Sequence, residues 1–236
     1  MSKIDEIRLS EKESHETLYK NNKLFEEGSF LHKPVKTVMD ILPLLTDEKA
    51  VRVLDLGCGV GRNSIPIAQY FADKNCLIDC VDLLEIAIEK LEEYSNQFGV
   101  NNSIVKYKSA IEDFEIKTDT YNLILAVSAL EHVATEKDFI DVLDKMRRGI
   151  KRNGVICLCV NTEVVETDIK SGKLLDAQFE VNMKTADMND LLFKMFSDFN
   201  THKSMVVQQE HAIKRNERDI LISTQVVTYV VQKFNY

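Results

Sequence analysis

The sequence predicts an α/β protein built on a mostly parallel sheet. Three observations carry that expectation. Strand-like and helix-like segments alternate over residues 51–160. The strand-like runs are apolar on both faces, as central parallel strands are. The first of them closes in a glycine-rich stretch, Gly57-Cys58-Gly59-Val60-Gly61.

The elements follow in order. Residues 1–45 read as polar and helical, punctuated by Gly28 and Pro34. Leu18, Leu24 and Phe25 give a weak apolar face there. Val35, Val38, Met39, Ile41 and Leu42 give a stronger one, with Pro34 suited to the first turn of that helix. Residues 46–49 are a turn, 51–56 the first strand, and a helix runs from the glycines to Tyr70. Residues 76–81 are the second strand, closed by Asp82. Ile86, Leu91, Tyr94 and Phe98 then recur at helical spacing, and residues 104–107 and 121–127 are the third and fourth strands. Phe139, Leu143, Met146 and Ile150 mark an amphipathic helix that Asn153-Gly154 should stop, before a fifth strand over 155–160. Then the rhythm breaks. Residues 185–196 read as a helix with Thr185 at its N-cap. Residues 203–213 and 221–234 read as an antiparallel hairpin joined by a charged turn, 214–219. The expected organisation is one domain over 46–236 with a helical extension over 1–45.

Composition narrows the function. With 236 residues, 44% hydrophobic and 29% charged, the chain can bury a sizeable core and keep a polar surface. A formal net charge of -8 counts against binding to nucleic acid or to an anionic membrane. No apolar run approaches the ~20 residues of a membrane span, so a cytoplasmic protein is expected. Five cysteines is an odd number, and neither Cys76 with Cys80 nor Cys157 with Cys159 has zinc-ligand spacing. Reduced, mostly buried thiols and no metal site are expected.

The glycine turn is the strongest chemical signal. Ligands of open α/β sheets sit at the carboxyl ends of the strands, where glycines let backbone approach them. A dinucleotide turn reads G-x-G-x-x-G and takes a pyrophosphate. Here the spacing is G-x-G-x-G behind Asp55, whose carboxylate repels phosphate and suits a cation. Asp82 ends the neighbouring strand and can accept from both hydroxyls of a ribose. A ribose grip in an acidic neighbourhood without a phosphate cradle suits S-adenosylmethionine. The bland alternative is a tight strand-to-helix turn and nothing more.

Residues 53–61, Val-Leu-Asp-Leu-Gly-Cys-Gly-Val-Gly, resemble motif I of class I S-adenosylmethionine-dependent methyltransferases. Asp82, Tyr121-Asn122-Leu123-Ile124 and the closing hairpin extend the resemblance over most of the chain. It implies a Rossmann-like three-layer fold with a seven-stranded, mostly parallel sheet whose last strand is antiparallel. Gly61-Arg62-Asn63-Ser64 and Leu31-His32-Lys33-Pro34-Val35 are similar to tellurite-resistance-type methyltransferases, and Ala129-Leu130-Glu131-His132-Val133 resembles the ubiquinone-biosynthesis type. Both act on small molecules.

The resemblance carries over residue by residue. It implies backbone of Gly57 and Gly59 beside the methionine part, Asp55 near the ammonium, Asp82 on the ribose and Leu83 on the adenine. Ala126 and Val127 should line the methionine side, with Cys58, Gly61 and Asn63 completing the contacts. Arg62 either pairs with the methionine carboxylate or solvates the helix start. The family often places Asp after the third strand, where this chain has Ala110 followed by Ile111; Glu112 or Asp113 substitutes if the register shifts. His132, beside Glu131, is the candidate base or acceptor contact, unless it caps a helix or binds a backbone carbonyl. Tyr19 and His32 are candidates for a lid over the substrate, and Glu131 for a contact to the acceptor. His15, His202 and His211 have no recognisable context.

The expected activity is methyl transfer to a small-molecule acceptor. The alternatives are a non-catalytic cofactor-binding module acting through a partner, and methylation of a protein N-terminus. Amino-methylating nucleic-acid enzymes carry Asn/Asp-Pro-Pro-aromatic after strand four, where this chain reads Ala126-Val127-Ser128-Ala129. Oligomeric state stays open.

Overall fold

The computed structural model describes residues 3–215 and 217–234, the side chains of Lys3, Asp5, Glu6 and Glu11 excepted. Its helices are α1 (Lys3–Asn21), α2 (Lys36–Ile41), α3 (Ser64–Tyr70), α4 (Glu85–Gln97), α5 (Glu136–Gly149) and α6 (Thr185–Met195). The strands are β1 (Ala50–Leu56), β2 (Asn75–Asp82), β3 (Ile104–Lys108), β4 (Tyr121–Val127), β5 (Ile150–Asp168), β6 (Leu174–Leu175), β7 (Phe199–Arg215) and β8 (Arg218–Lys233). They form one sheet in the order β3-β2-β1-β4-β5-β8-β7, with the short β6 paired to the far end of β5. β1 to β5 run parallel, while β8 is antiparallel to β5 and β7 to β8.

Period-two alternation splits the core into two layers. Val51 and Val53 of β1 face a cluster with Ile65, Ile67 and Leu91 of α3 and α4. Leu54 and Leu56 face the opposite cluster, with Phe139, Leu143 and Met146 of α5 and Leu192 of α6. The N-terminal segment joins the first layer through buried Tyr19, Leu24, Leu31 and Val38. Leu24 also donates its N–H to the Tyr94 hydroxyl of α4 at 3.2 Å.

Several expected boundaries move. α2 begins at Lys36 with Val35 as N-cap, so Pro34 precedes the helix instead of opening its first turn. Lys184 is the N-cap of α6, and the Thr185 hydroxyl lies 2.8 Å from that of Thr162 instead of capping. α5 ends at Gly149, and β5 has already begun when Asn153 (φ +62°) and Gly154 arrive. Their turn chemistry makes an irregularity inside β5: the ladder pairs Tyr121 with Ile150, then jumps to Leu123 with Val155. The hairpin ladder continues to Arg215 opposite Arg218, well into the expected turn, whose residue 216 lies outside the described residues. Lys214 and Asp219 therefore pair across it.

β5 and β8 run on past the carboxyl end of β4, staying paired from Val165 opposite Ser223 to Asp168 opposite Ile220. This extension has a small core of Val164, Ile220 and Ile222, backed by Leu175, Ala177 and Phe179. The Arg215 guanidinium grips the buried Glu166 carboxylate at 2.7 and 3.1 Å. The extension thus walls one side of the crevice at the strand ends.

Candidate active site

The crevice starts where β1 stops. Gly57, Gly59 and Gly61 all adopt positive φ (71°, 52° and 92°), a region that disfavours side chains. The N–H groups of Gly57 and Cys58 both donate to the Val81 carbonyl, at 2.8 and 3.0 Å, and strap the turn to the end of β2. A Cβ on Gly57 would lie 2.3 Å from that of Ala129. One on Gly61 would lie 2.6 Å from Leu91 Cδ1, so internal packing demands both glycines. At Gly59 a Cβ would meet only the Tyr19 hydroxyl, at 3.1 Å.

Two carboxylates flank this turn. Asp82 is 9% exposed and accepts from the Gly59 N–H at 2.8 Å and the Leu84 N–H at 2.9 Å, which fixes its plane. Asp55 is 1% exposed and accepts from the Ser64 hydroxyl at 2.5 Å. Burial pushes its pKa up to about 6; the Ser64 bond opposes the shift and the charge of Asp82 adds to it.

Asn63 and Arg62 turn away from the expected contacts. Asn63 Oδ1 accepts from the Val35 N–H at 3.0 Å. Arg62 Nε donates to the Lys33 carbonyl at 2.6 Å, and its guanidinium lies 5.6 Å from the Phe30 ring centroid. Both residues fasten the N-terminal segment to the start of α3. His32 sits beside that anchor, its backbone N–H donating to the Ser29 carbonyl. Cys58 is buried, its Sγ 3.5 Å from the Gly59 carbonyl, and burial pushes its thiol pKa well up. All five cysteines are free and buried, and no metal-ligating cluster occurs among the described residues.

α1 lies over the crevice. Tyr19 is buried against Gly59, and Arg8 reaches Glu112 at 2.5 Å and Glu180 at 3.7 Å. A groove of about 380 Å³ runs between α1 (Arg8, Leu9, Lys12) and the β2–α4 turn, where Leu83 is 42% exposed on its wall. Ala110 and Ile111 are buried just after β3. Ala126 is fully buried in the sheet, whereas Val127 at the end of β4 is half-buried.

Beyond β4 the chain makes a tight turn, with Ser128 at φ +50° donating its N–H to the Cys159 carbonyl at 2.7 Å. Glu131 and His132 follow and diverge. The Glu131 carboxylate is buried and accepts from the backbone N–H and side-chain amide of Asn161; its own carbonyl accepts from the Val181 N–H. Burial raises its pKa. Glu131 is thus a strut between β5 and the 180 segment, not the acceptor contact expected of it. His132 is partly exposed, its Nδ1 3.1 Å from Glu180 Oε2 and its ring stacked on Phe179 at 5.0 Å. Glu180 and Phe179 were not signalled by the sequence: they lie in an unpatterned stretch 48 and 47 positions further on.

Together, the sheet order, the antiparallel close and the glycine turn between two carboxylates have the form of the class I S-adenosylmethionine-dependent methyltransferase fold. Residues 53–154 match the family model of a methyltransferase domain. It is similar to a tRNA N(3)-cytidine methyltransferase, METTL2, of Mus musculus, 26% identical over 134 residues, 55% of this chain and 34% of that protein. It is also similar to a mitochondrial ubiquinone biosynthesis O-methyltransferase of Dictyostelium discoideum, 28% identical over 109 residues, 44% of this chain and 34% of that protein. The match thus spans about a third of either curated relative. Among solved structures, TehB from Haemophilus influenzae shares the fold with a TM-score of 0.59 and 17% identity, over 83% of this chain and 62% of that one.

Proposed function

We propose that this chain transfers the methyl group of S-adenosylmethionine to a small-molecule acceptor, with His132, held by Glu180, facing the acceptor. The residues suit that cofactor. Asp82, oriented by two backbone bonds, presents an acceptor carboxylate suited to a ribose diol. Gly59 offers backbone with open space short of Tyr19, and Leu83, Ala110 and Ile111 offer apolar surface for a base. Asp55 and Asp82 supply negative potential for a cationic tail and repel a pyrophosphate. The bound cofactor supplies an electrophilic methyl carbon.

The rest falls to the chain's own side chains. Methyl transfer is an in-line displacement, so alignment provides much of the rate. A roof formed by α1, pinned by Arg8 on Glu112 and Glu180, excludes water from the reacting groups. In this reading residues 1–45 are a lid, with Tyr19 its central contact and His32 at its anchored end.

One observation carries the acceptor side: the His132 ring, just beyond the end of β4, is bracketed by the Glu180 carboxylate and the Phe179 ring. A carboxylate on Nδ1 favours the tautomer with the proton on that nitrogen, which makes Nε2 the basic one. That suits a hydroxyl acceptor, which needs a base. The likeness to a tRNA methyltransferase favours a second reading, an RNA acceptor, against which the net charge of -8 stands.

The test is S-adenosylhomocysteine release across hydroxyl, amine, thiol and carboxylate acceptors, with tRNA in parallel. A hydroxyl compound should turn over. His132→Ala should then lower its turnover by roughly 10²–10⁴ while cofactor affinity stays within a few-fold. Turnover on tRNA alone, or a fully active His132→Ala variant, would overturn the assignment.

A further inference from the structure

The final ladder leaves one edge of the sheet open. β7 pairs with β8 on one side, and among the described residues no strand pairs with its other side. Nearly all of β7 after Phe199 is exposed. An open edge presents unpaired N–H and C=O groups, and proteins usually blunt it with lysine, proline or a bulge. In β7 these devices lie at the two ends, with the register shift between Thr201 and Lys203 at one and Glu210, Lys214 and Arg215 towards the other. From Ser204 to Gln209 there is no charge, no proline and no register shift. Met205, Val206 and Val207, in the middle of that stretch, are 40%, 40% and 39% exposed.

This edge complements itself. A two-fold axis normal to the sheet would make two β7 strands antiparallel and keep each face continuous, so only residues on the same face can oppose each other. Centring the axis on Val206 sets Val206 against its own copy on one face and Met205 against Val207 on the other. Ser204 then faces Gln208, and Lys203 faces Gln209. A one-residue shift spoils this. Centred on Val207, the axis sets Met205 and Val206 against Gln209 and Gln208. Centred on Met205, it sets Val207 against Lys203. Apolar and β-branched cross-strand pairs stabilise a ladder, so the register on Val206 is selected by the sequence itself.

We infer that β7 is a homodimer interface: two copies pair antiparallel through this strand, about a two-fold axis at Val206, into one continuous sheet. The central ladder, residues 203–209, spans about 24 Å at roughly 3.4 Å per residue. That is a small interface, which fits reversible association in the micromolar range.

Sedimentation of the full chain from about 1 to 200 µM brackets that range. The expected result is a monomer–dimer equilibrium. Val206→Lys and Val206→Glu each place like charges directly opposite across the axis, and each alone should raise the dimer dissociation constant at least tenfold. Val206 contributes to neither core layer, and unchanged melting temperatures would show both variants folded. An equimolar mixture of the two should regain the dimer as a heterodimer. A wild-type chain that stays monomeric throughout would overturn the inference. A Val206→Lys variant that dimerises like wild type would also overturn it, and so would a mixture that stays monomeric.

Discussion

Asp55→Asn separates what the buried carboxylate costs the fold from what it gives the site. The unfolded chain releases this proton near the ordinary aspartate value of 3.8, whereas the folded chain holds it up to about pH 6. Between those values the folded state binds the extra proton, so stability falls as pH rises, and above about 6 the full penalty stands. About two pH units at 1.36 kcal/mol each make a penalty of about 3 kcal/mol at neutral pH. Asparagine keeps an oxygen for the Ser64 hydroxyl and never ionises. At pH 7.5 the variant should therefore melt higher than wild type, by roughly 6–12 °C for a chain of this size. The gap should shrink towards zero by about pH 4, where Asp55 is neutral in the folded chain. Affinity for S-adenosylmethionine should move the other way and weaken about tenfold, as an interaction worth about 1.4 kcal/mol is lost. Calorimetric melts at pH 4 and 7.5 with a binding isotherm at pH 7.5 decide it. A variant that melts lower than wild type at pH 7.5, or a gap that widens in acid, would refute the reasoning.

The remaining expectations share these contacts. Asp82→Ala should weaken S-adenosylhomocysteine binding by roughly ten- to a hundredfold in calorimetry, since hydrogen bonds to a charged group contribute about 1.5–3 kcal/mol; an unchanged isotherm would place the ribose elsewhere. Gly57→Ala should destabilise by about 2–4 kcal/mol, through backbone strain at φ +71° and the clash with Ala129, and Ala129→Gly should restore only the clash part. A double variant no more stable than Gly57→Ala in denaturant melts would show that the clash is relieved by other means. Arg8→Ala should release α1 from Glu112 and Glu180, and limited proteolysis within α1 should speed up several-fold; cleavage at the wild-type rate would mean that the apolar contacts of Ile7 and Tyr19 alone hold the helix.

The sheet was legible because β1 to β4 each announce themselves by an apolar run and a terminal polar residue or glycine. The chemistry of Asp55, the glycines and Asp82 was legible because it lies within one strand–turn–helix–strand unit, where sequence distance and spatial distance agree. The rest depends on contacts that sequence spacing does not encode. Asn63 and Arg62 follow the glycine turn directly and so resemble cofactor contacts, but their partners are Val35 and Lys33, nearly thirty positions back. Asn153-Gly154 has the chemistry of a helix stop, yet β5 absorbs the pair as a bulge because Tyr121 and Leu123 hold the strand in place on either side.

Glu131 and His132 show how neighbours divide one task. A carboxylate with raised pKa and no exposure is a poor acceptor contact, but its bonds to Asn161, and its carbonyl bond to Val181, lock the segment that carries Phe179 and Glu180 against β5. That segment is what meets the imidazole of His132. The buried residue fixes the partners of the exposed one, so the orientation of His132 is set by backbone placement two strands away as much as by its own turn. Only the three-dimensional path of residues 176–184 brings those partners back to the end of β4, and no periodicity in that stretch announces it.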